Sequence, residues 1–358
     1  MTNPTVLITG GAGFIGSRLA NTLAASGHAV TLVDSLHPQV HNGGWPTGLA
    51  DGVTTLPFDV TVPSQWDALF KMVRPDIVVH LAAETGTGQS LTEASRHGRV
   101  NVVGTTELLD GLSRVNHVPQ RFVLASSRAI YGEGRWTTDD GLEFYANARG
   151  VQQLERGQWD PTAPNGSAGG VTPLAHRAGL VEPRPSNVYA ATKLAQEHVL
   201  SSWASARGSD LSILRLQNVY GPGQSLTNPY TGIVSLFARL AREHKAIPVY
   251  EDGRIVRDFV FIDDVVSALA AACASTTPGT TTVDIGSGEA VTLAELAEEI
   301  AMQAGAPEPV VTVAYRLGDV RAAFADLTDA AYHLDYTPQV TPAEGVGHLL
   351  EWIGTQKV

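Results

Sequence analysis

The chain has 358 residues, 43% of them hydrophobic and 17% charged, a balance that supports a large packed core and excludes a disordered protein. Its formal net charge of −12 leaves no basic face for a phosphate backbone, so nucleic acid is not an expected partner. An anionic small molecule remains open, since it needs only two or three local arginines.

The first apolar run, at residues 5–8, has no basic region ahead of it and is expected to be a strand rather than a signal peptide. A helix is expected over 14–26, followed by further apolar runs at 29–33, 77–79, 122–125 and 211–214. Continuous apolar strands separated by helices predict a parallel sheet covered on both faces, the doubly wound α/β class. Ligands of that class sit at the carboxyl ends of the strands. Between Gly132 and Ser186 the chain is rich in Gly, Pro and polar residues, with aromatics at Trp136, Phe144, Tyr145 and Trp159. A connection of that length is functional or carries its own structure, and the aromatics predict a packed excursion. His176 and Arg177 lie within it and are expected to face solvent. Further on, Thr292 and Glu295 form a potential capping box, Gly305 marks the helix end, and Leu293, Leu296 and Ile300 form its apolar face.

The single cysteine, Cys273, lies in an apolar stretch and is expected to be a small buried hydrophobe. No disulfide can form within the chain, which fits a reducing compartment. No apolar run approaches the ~18 residues needed to span a bilayer. A cytoplasmic protein with no membrane partner is the expectation.

Thr9 to Gly16 reads Thr-Gly-Gly-Ala-Gly-Phe-Ile-Gly between the first strand and the first helix. Gly11, Gly13 and Gly16 satisfy the dinucleotide fingerprint, and Gly10, Gly13 and Gly16 an alternative spacing. Without side chains the backbone can turn tightly and approach a pyrophosphate at the helix N-terminus. Asp34 ends the second strand about 20 residues downstream, where a carboxylate accepts from ribose hydroxyls and repels a 2′-phosphate. NAD is therefore favoured over NADP. Asp59, followed by Val60, is a candidate for the adenine amino group, with a turn aspartate as its rival.

Tyr189 and Lys193 lie four residues apart on one face of a predicted helix. A free phenol, with a pKa of about 10, is a poor base at neutral pH. A neighbouring cation lowers that value towards a useful range. Lys193 is also a candidate to hold the nicotinamide ribose. Ser127, with Ser126 in reserve, follows the 122–125 strand and is placed to bridge a substrate oxygen and the phenol.

The glycine loop, Asp34, His80-Leu81-Ala82-Ala83, Ser127 with Tyr131 and Gly132, the Tyr189/Lys193 pair, and Arg215 to Asn218 occur in this order. The chain resembles the extended short-chain dehydrogenase/reductase superfamily, in its nucleotide-sugar epimerase and dehydratase branch, over nearly its whole length. The resemblance implies a Rossmann domain over 1–217, with an insertion near 133–185 and a returning segment near 258–286. It also implies a smaller C-terminal lobe, 218–257 and 287–358, for the nucleotide sugar. NAD would be bound by Gly10, Gly13, Phe14, Ile15, Gly16, Asp34, Asp59, Val60, Leu81, Ala82, Ala83, Tyr189 and Lys193. The substrate would be bound by Thr87, Ser127, Asn218, Arg257, Arg316 and Asp319, the two arginines gripping the diphosphate. No metal is expected, and a homodimer is.

Dehydratases of this branch carry an Asp-Glu pair directly after the hydroxyl residue; Arg128 and Ala129 stand there. Ketoreductases usually take NADPH, which Asp34 disfavours. A 4-epimerase that oxidises and re-reduces carbon 4 is the expected activity. The 84–90 run, the long insertion and the Arg257-Asp-Phe-Val260 segment are similar to a subgroup acting on dTDP-L-rhamnose. UDP-glucose or UDP-uronate 4-epimerisation, or an NAD(P)H-dependent nucleotide-sugar 4-ketoreductase, is the alternative, and a non-catalytic nucleotide sensor a remote one.

Overall fold

The structure, a computed structural model, describes residues 4–41, 44–164, 166, 170–226 and 232–356. Seven strands form its main sheet: β1 (Thr5–Thr9), β2 (Ala29–Asp34), β3 (Thr54–Pro57), β4 (Ile77–His80), β5 (Arg121–Ser127), β6 (Asp210–Leu216) and β7 (Thr280–Ile285). Their order is β7-β6-β5-β4-β1-β2-β3, every pairing parallel. The chain steps from β1 outward to β3 and then returns past β1 to β4. That reversal opens a crevice at the carboxyl ends of β1 and β4, where such folds bind ligands.

The longer helices are α1 (Phe14–Ala25), α2 (Pro63–Met72), α3 (Gly104–Arg114), α4 (Val188–Arg207), α5 (Ile233–Arg242), α6 (Ile262–Ala274), α7 (Leu293–Ala304) and α8 (Pro342–Thr355). Alternate residues of β1 serve opposite faces: Val6 and Ile8 join Leu19 and Leu23 of α1 and Val265 and Leu269 of α6. Leu7 joins Trp66 of α2, Leu108 and Leu112 of α3, and Leu200 of α4. Burial on both faces is why these strands are continuously apolar. β3, with Thr-Thr-Leu-Pro, escapes that signal because it is an edge strand with half-buried and exposed side chains.

The excursion after Gly132 is packed, as its aromatics predict. Arg135–Thr138 pairs antiparallel with Glu143–Tyr145 and with Val171–Pro173, and Trp136 is fully buried. Residues 165 and 167–169 of this segment lie outside the described residues. Its docking is ionic. Arg149 donates to Glu133 (3.2 Å) and Glu251 (2.8 Å), and Arg321 donates to Glu251 (3.0 Å), Asp252 (2.6 Å) and Asp160 (2.8 Å).

His176 corrects the expectation of solvent exposure. It is 1% exposed, bridges Ala325, and lies with its ring 4.5 Å from that of Tyr131. Burial, with the charges of Arg128, Arg257 and Arg215 beside it, lowers its pKa to about 3, so the ring is neutral. Arg177 is half-buried and paired with Asp329 at 2.7 Å. The capping box of α7 is present, with Gly305 left-handed at its end. Cys273 is buried, and burial pushes its thiol up to about 12. Among the described residues no helix is long and apolar enough to cross a membrane, and no cluster could hold a metal ion.

Candidate active site

A cavity of about 760 Å³ opens over the carboxyl ends of β1, β2 and β4. Gly10, Gly13, Asp34, Asp59, Val60 and residues 81–83 line it together; Tyr189 and Lys193 are not among its lining residues. The glycines are required by distance. A Cβ on Gly10, whose φ is +69°, would stand 2.8 Å from the Ala82 nitrogen, and one on Gly16 2.5 Å from the Gly10 oxygen. Gly13 caps α1 without a side-chain hydrogen bond, leaving the helix's first amides for an anion. Phe14, Ile15 and Gly16 form the first turn behind this loop, outside the cavity wall.

Asp34 is fixed by its own backbone neighbours: Oδ2 accepts from Ala12 N at 3.1 Å and Oδ1 from Leu36 N at 2.8 Å. Asp59 is held as a turn aspartate at the cavity wall, its Oδ1 accepting from Thr61 N at 2.9 Å. The cradle, the bare helix end and the carboxylate together fit NAD, which would rest with its pyrophosphate on α1 and a ribose on Asp34.

Sequence reasoning missed the far wall. Gln39 and Gln89 exchange hydrogen bonds across the cavity at 3.2 and 3.3 Å, and Arg96 donates to Gln39 (3.1 Å) while paired with Glu84 (2.8 Å). It also missed Asn101, in the π-helical turn Gly98–Val103. Asn101 accepts from Glu84 N (2.7 Å) and donates to Thr192 Oγ1 (2.9 Å), tying the stretch after Ala83 to α4.

Tyr189 and Lys193 project from the first two turns of α4, which Asn187 caps through the Ala190 amide. Burial raises the Tyr189 pKa, while a hydrogen bond from Ser127 and the charge of Arg128 pull it back. Burial pushes Lys193 down to about 8, against the attraction of Glu197. Its ammonium donates to Gln196 Oε1 at 2.5 Å. The charge bearing on the phenol here is thus that of Arg128, with the ammonium turned towards Gln196.

Gln196 in turn donates to Thr105 Oγ1 at 2.9 Å, beside His80. His80 Nδ1 stands 2.8 Å from Thr9 Oγ1, which accepts the Ala82 amide at 3.1 Å. Burial and the Lys193 charge lower the His80 pKa to about 3. A neutral histidine therefore joins the lysine helix to the backbone of the cofactor cavity.

The two serines separate cleanly. Ser126 donates to Glu197 Oε1 at 2.5 Å, and Glu197 is held by Arg215 at 2.8 Å, a buried structural pair. Ser127, the last residue of β5, is the one that meets the phenol.

Three substrate candidates gather beside Arg128. Asn218 Oδ1 accepts from Arg128 Nε at 2.8 Å. Arg257 is 5% exposed and donates to the carbonyls of Val256 and Val320, both at 2.7 Å. Asp319 exerts its charge on both guanidiniums, and its carbonyl accepts from Arg149 at 2.8 Å. Arg316 lies apart, exposed and 5.3 Å over the ring of Tyr250. Thr87 sits in the turn before Gln89–Thr92, its carbonyl taking the Ser90 hydroxyl at 2.7 Å, away from the cavity lining.

The chain is 51% identical over 352 residues, 98% of its length and 95% of the relative's, to a dTDP-L-rhamnose 4-epimerase of Burkholderia thailandensis. A UDP-glucose 4-epimerase of Thermus thermophilus, solved with NAD, superposes with a TM-score of 0.78 at 29% identity, covering 98% of this chain and 100% of that one. A UDP-glucose 4-epimerase of Thermotoga maritima, solved with UDP-glucose, gives 0.78 at 28% identity over 98% of both chains. The family model for NAD dependent epimerases and dehydratases matches residues 6–148 and 165–286, so the chain belongs to that NAD-dependent enzyme family.

Proposed function

We propose that this chain is a nucleotide-sugar 4-epimerase whose substrate is a dTDP-6-deoxyhexose, interconverting the L-rhamnose and 6-deoxy-L-talose forms. The observation that carries the reading is the 51% identity to a dTDP-L-rhamnose 4-epimerase over 98% of this chain. Ser127 at the carboxyl end of β5, hydrogen-bonded to Tyr189, and Lys193 one turn further along α4 support the chemistry.

The 4-hydroxyl gives its proton to Tyr189, with Ser127 bridging the two oxygens. NAD, when bound, would supply the hydride acceptor and donor for the same carbon. Lys193 would hold the nicotinamide ribose. The sugar turns about its link to the diphosphate, presenting the other face of the carbonyl carbon. Hydride and proton then come back to carbon and oxygen, so no cofactor is consumed. Asn218, and Arg257 through its charge, would hold the diphosphate through the turn, whereas Arg316, exposed over the ring of Tyr250, stands apart from them.

Elimination at carbon 6 needs a proton donor and acceptor beside Ser127, and Arg128 and Ala129 supply neither. The second reading is a UDP-hexose 4-epimerase, favoured by the whole-chain likeness to the Thermotoga maritima enzyme solved with UDP-glucose. We read the protein as a cytoplasmic homodimer, in keeping with its single buried cysteine. Incubation with dTDP-, UDP-, GDP- and CDP-sugars, without added reductant, tests the proposal. A 4-epimer formed from a dTDP-6-deoxyhexose is the expected result; product appearing only with stoichiometric NAD(P)H overturns it.

A further inference from the structure

Arg128 stands immediately after Ser127, at the start of the 3-10 turn Arg128–Tyr131. Ser127 Oγ accepts the Ala129 amide at 3.2 Å, which fixes the turn and sends the Arg128 side chain across the sheet edge to Asn218. That single bond through Nε leaves both terminal nitrogens without a partner among the described residues. The other deeply placed arginines have spent theirs: Arg149 on Glu251, Arg215 on Glu197, Arg321 on Asp252, and Arg257 on two carbonyls. The Arg128 side chain is half-buried, and its unused fork is open to the oxygen acceptors of a ligand.

The surroundings say which oxygens. Arg257, Asp319, Tyr189 and Asp258 all bear on the Arg128 charge, and the Arg128 charge bears on Tyr189. Arg128 thus lies between the phenol and the Asn218–Arg257 end. We infer, building on the epimerase reading, that Arg128 is a further catalytic residue: its fork binds sugar oxygens beside the carbon being oxidised and stabilises the negative charge passing between that sugar and Tyr189. The role is electrostatic, strongest while the proton is in transit. It also gives the place of a dehydratase acid to a group that cannot donate a proton at neutral pH.

Arg128→Met tests this, with bound NAD and the melting temperature showing that the variant is intact. We expect kcat to fall about 100-fold. The acid limb of the kcat profile should move up by about one pH unit, because loss of a nearby cation raises the phenol's pKa. Ser127, Arg257, Asp319, Asp258 and His176 bear on the pair and are unchanged in the variant. Arg128→Lys should recover part of the rate. A raised KM with kcat and the pH limb unmoved would make Arg128 a diphosphate grip only and overturn the inference. If Arg128→Met loses its NAD, Arg128→Gln carries the test with the same outcomes. A substrate-free readout separates this inference from the epimerase reading: ultraviolet titration of the holoenzyme, with Tyr189→Phe as blank. The Tyr189 ionisation should rise in the variant whatever the substrate is; an unmoved titration overturns the Arg128 role alone.

Discussion

The ammonium of Lys193 donates to Gln196 Oε1 at 2.5 Å, and through Gln196 it reaches Thr105 and the neutral His80. The amide oxygen favours the charged lysine that burial opposes, so Gln196→Leu should lower the Lys193 pKa below its present value of about 8. A charged Lys193 is lost as pH rises through that value. The alkaline limb of the activity profile should therefore move to lower pH, and unfolding free energy should fall by about 1–3 kcal/mol for the broken buried bonds. An unshifted limb would show that Gln196 merely fills space.

Ser127→Ala and Ser126→Ala should part company. Loss of Ser127 removes the hydroxyl between sugar and phenol, and kcat should fall about 100-fold with little change in melting temperature. Loss of Ser126 leaves the Glu197–Arg215 pair without its buried hydroxyl, so stability should suffer and kcat should not. Kinetics and calorimetry on both variants check this; equal kinetic losses would contradict the assignment.

Arg149→Met strands Glu133 in a buried site, since it loses its guanidinium partner, while Glu251 keeps only Arg321. The expected cost is about 3–5 kcal/mol in chemical denaturation. Limited proteolysis should then cut within 133–185, because the excursion is docked through this pair. Adding Glu133→Gln should recover part of the loss.

Asp284 carries a carboxyl raised by burial to about 7, with Tyr131 donating to it at 2.9 Å and Ala178 N at 2.7 Å. Its folded pKa exceeds its unfolded one, so the native state holds its proton longer. Between about pH 4 and 7 the unfolded state binds fewer protons, and this group's contribution to stability declines as pH rises. Asp284→Asn lacks that decline. The melting temperature of the variant, relative to the wild type, should climb over this window and level off above pH 7. A constant difference would contradict the shifted carboxyl.

The sequence made local features plain and tertiary ones obscure. The glycine loop, Asp34 and the Tyr189/Lys193 pair are set by short spacings on a strand end or one helix face, and the structure places each where those spacings require. Arg128 was visible only as a missing acid, because its free fork and its bond to Asn218, 90 residues away, exist only after folding. Gln39, Gln89 and Arg96 meet over 50 or more residues of chain and show no periodic signal. His176 was misplaced for a similar reason. Its polar, proline-rich neighbours suggest solvent, whereas its burial comes from Tyr131 and from the backbone of Phe324 and Asp326.

The whole account rests on hydride leaving and returning to one carbon while Tyr189 carries the proton. The direct measurement is turnover of a dTDP-6-deoxyhexose bearing deuterium at carbon 4, in ordinary water, followed by mass and NMR analysis of the product. The account predicts an epimer that keeps its deuterium at carbon 4, formed without net change in bound NAD, and no product from Tyr189→Phe. Deuterium exchanged for solvent hydrogen at that carbon, or normal turnover by the phenylalanine variant, would contradict it.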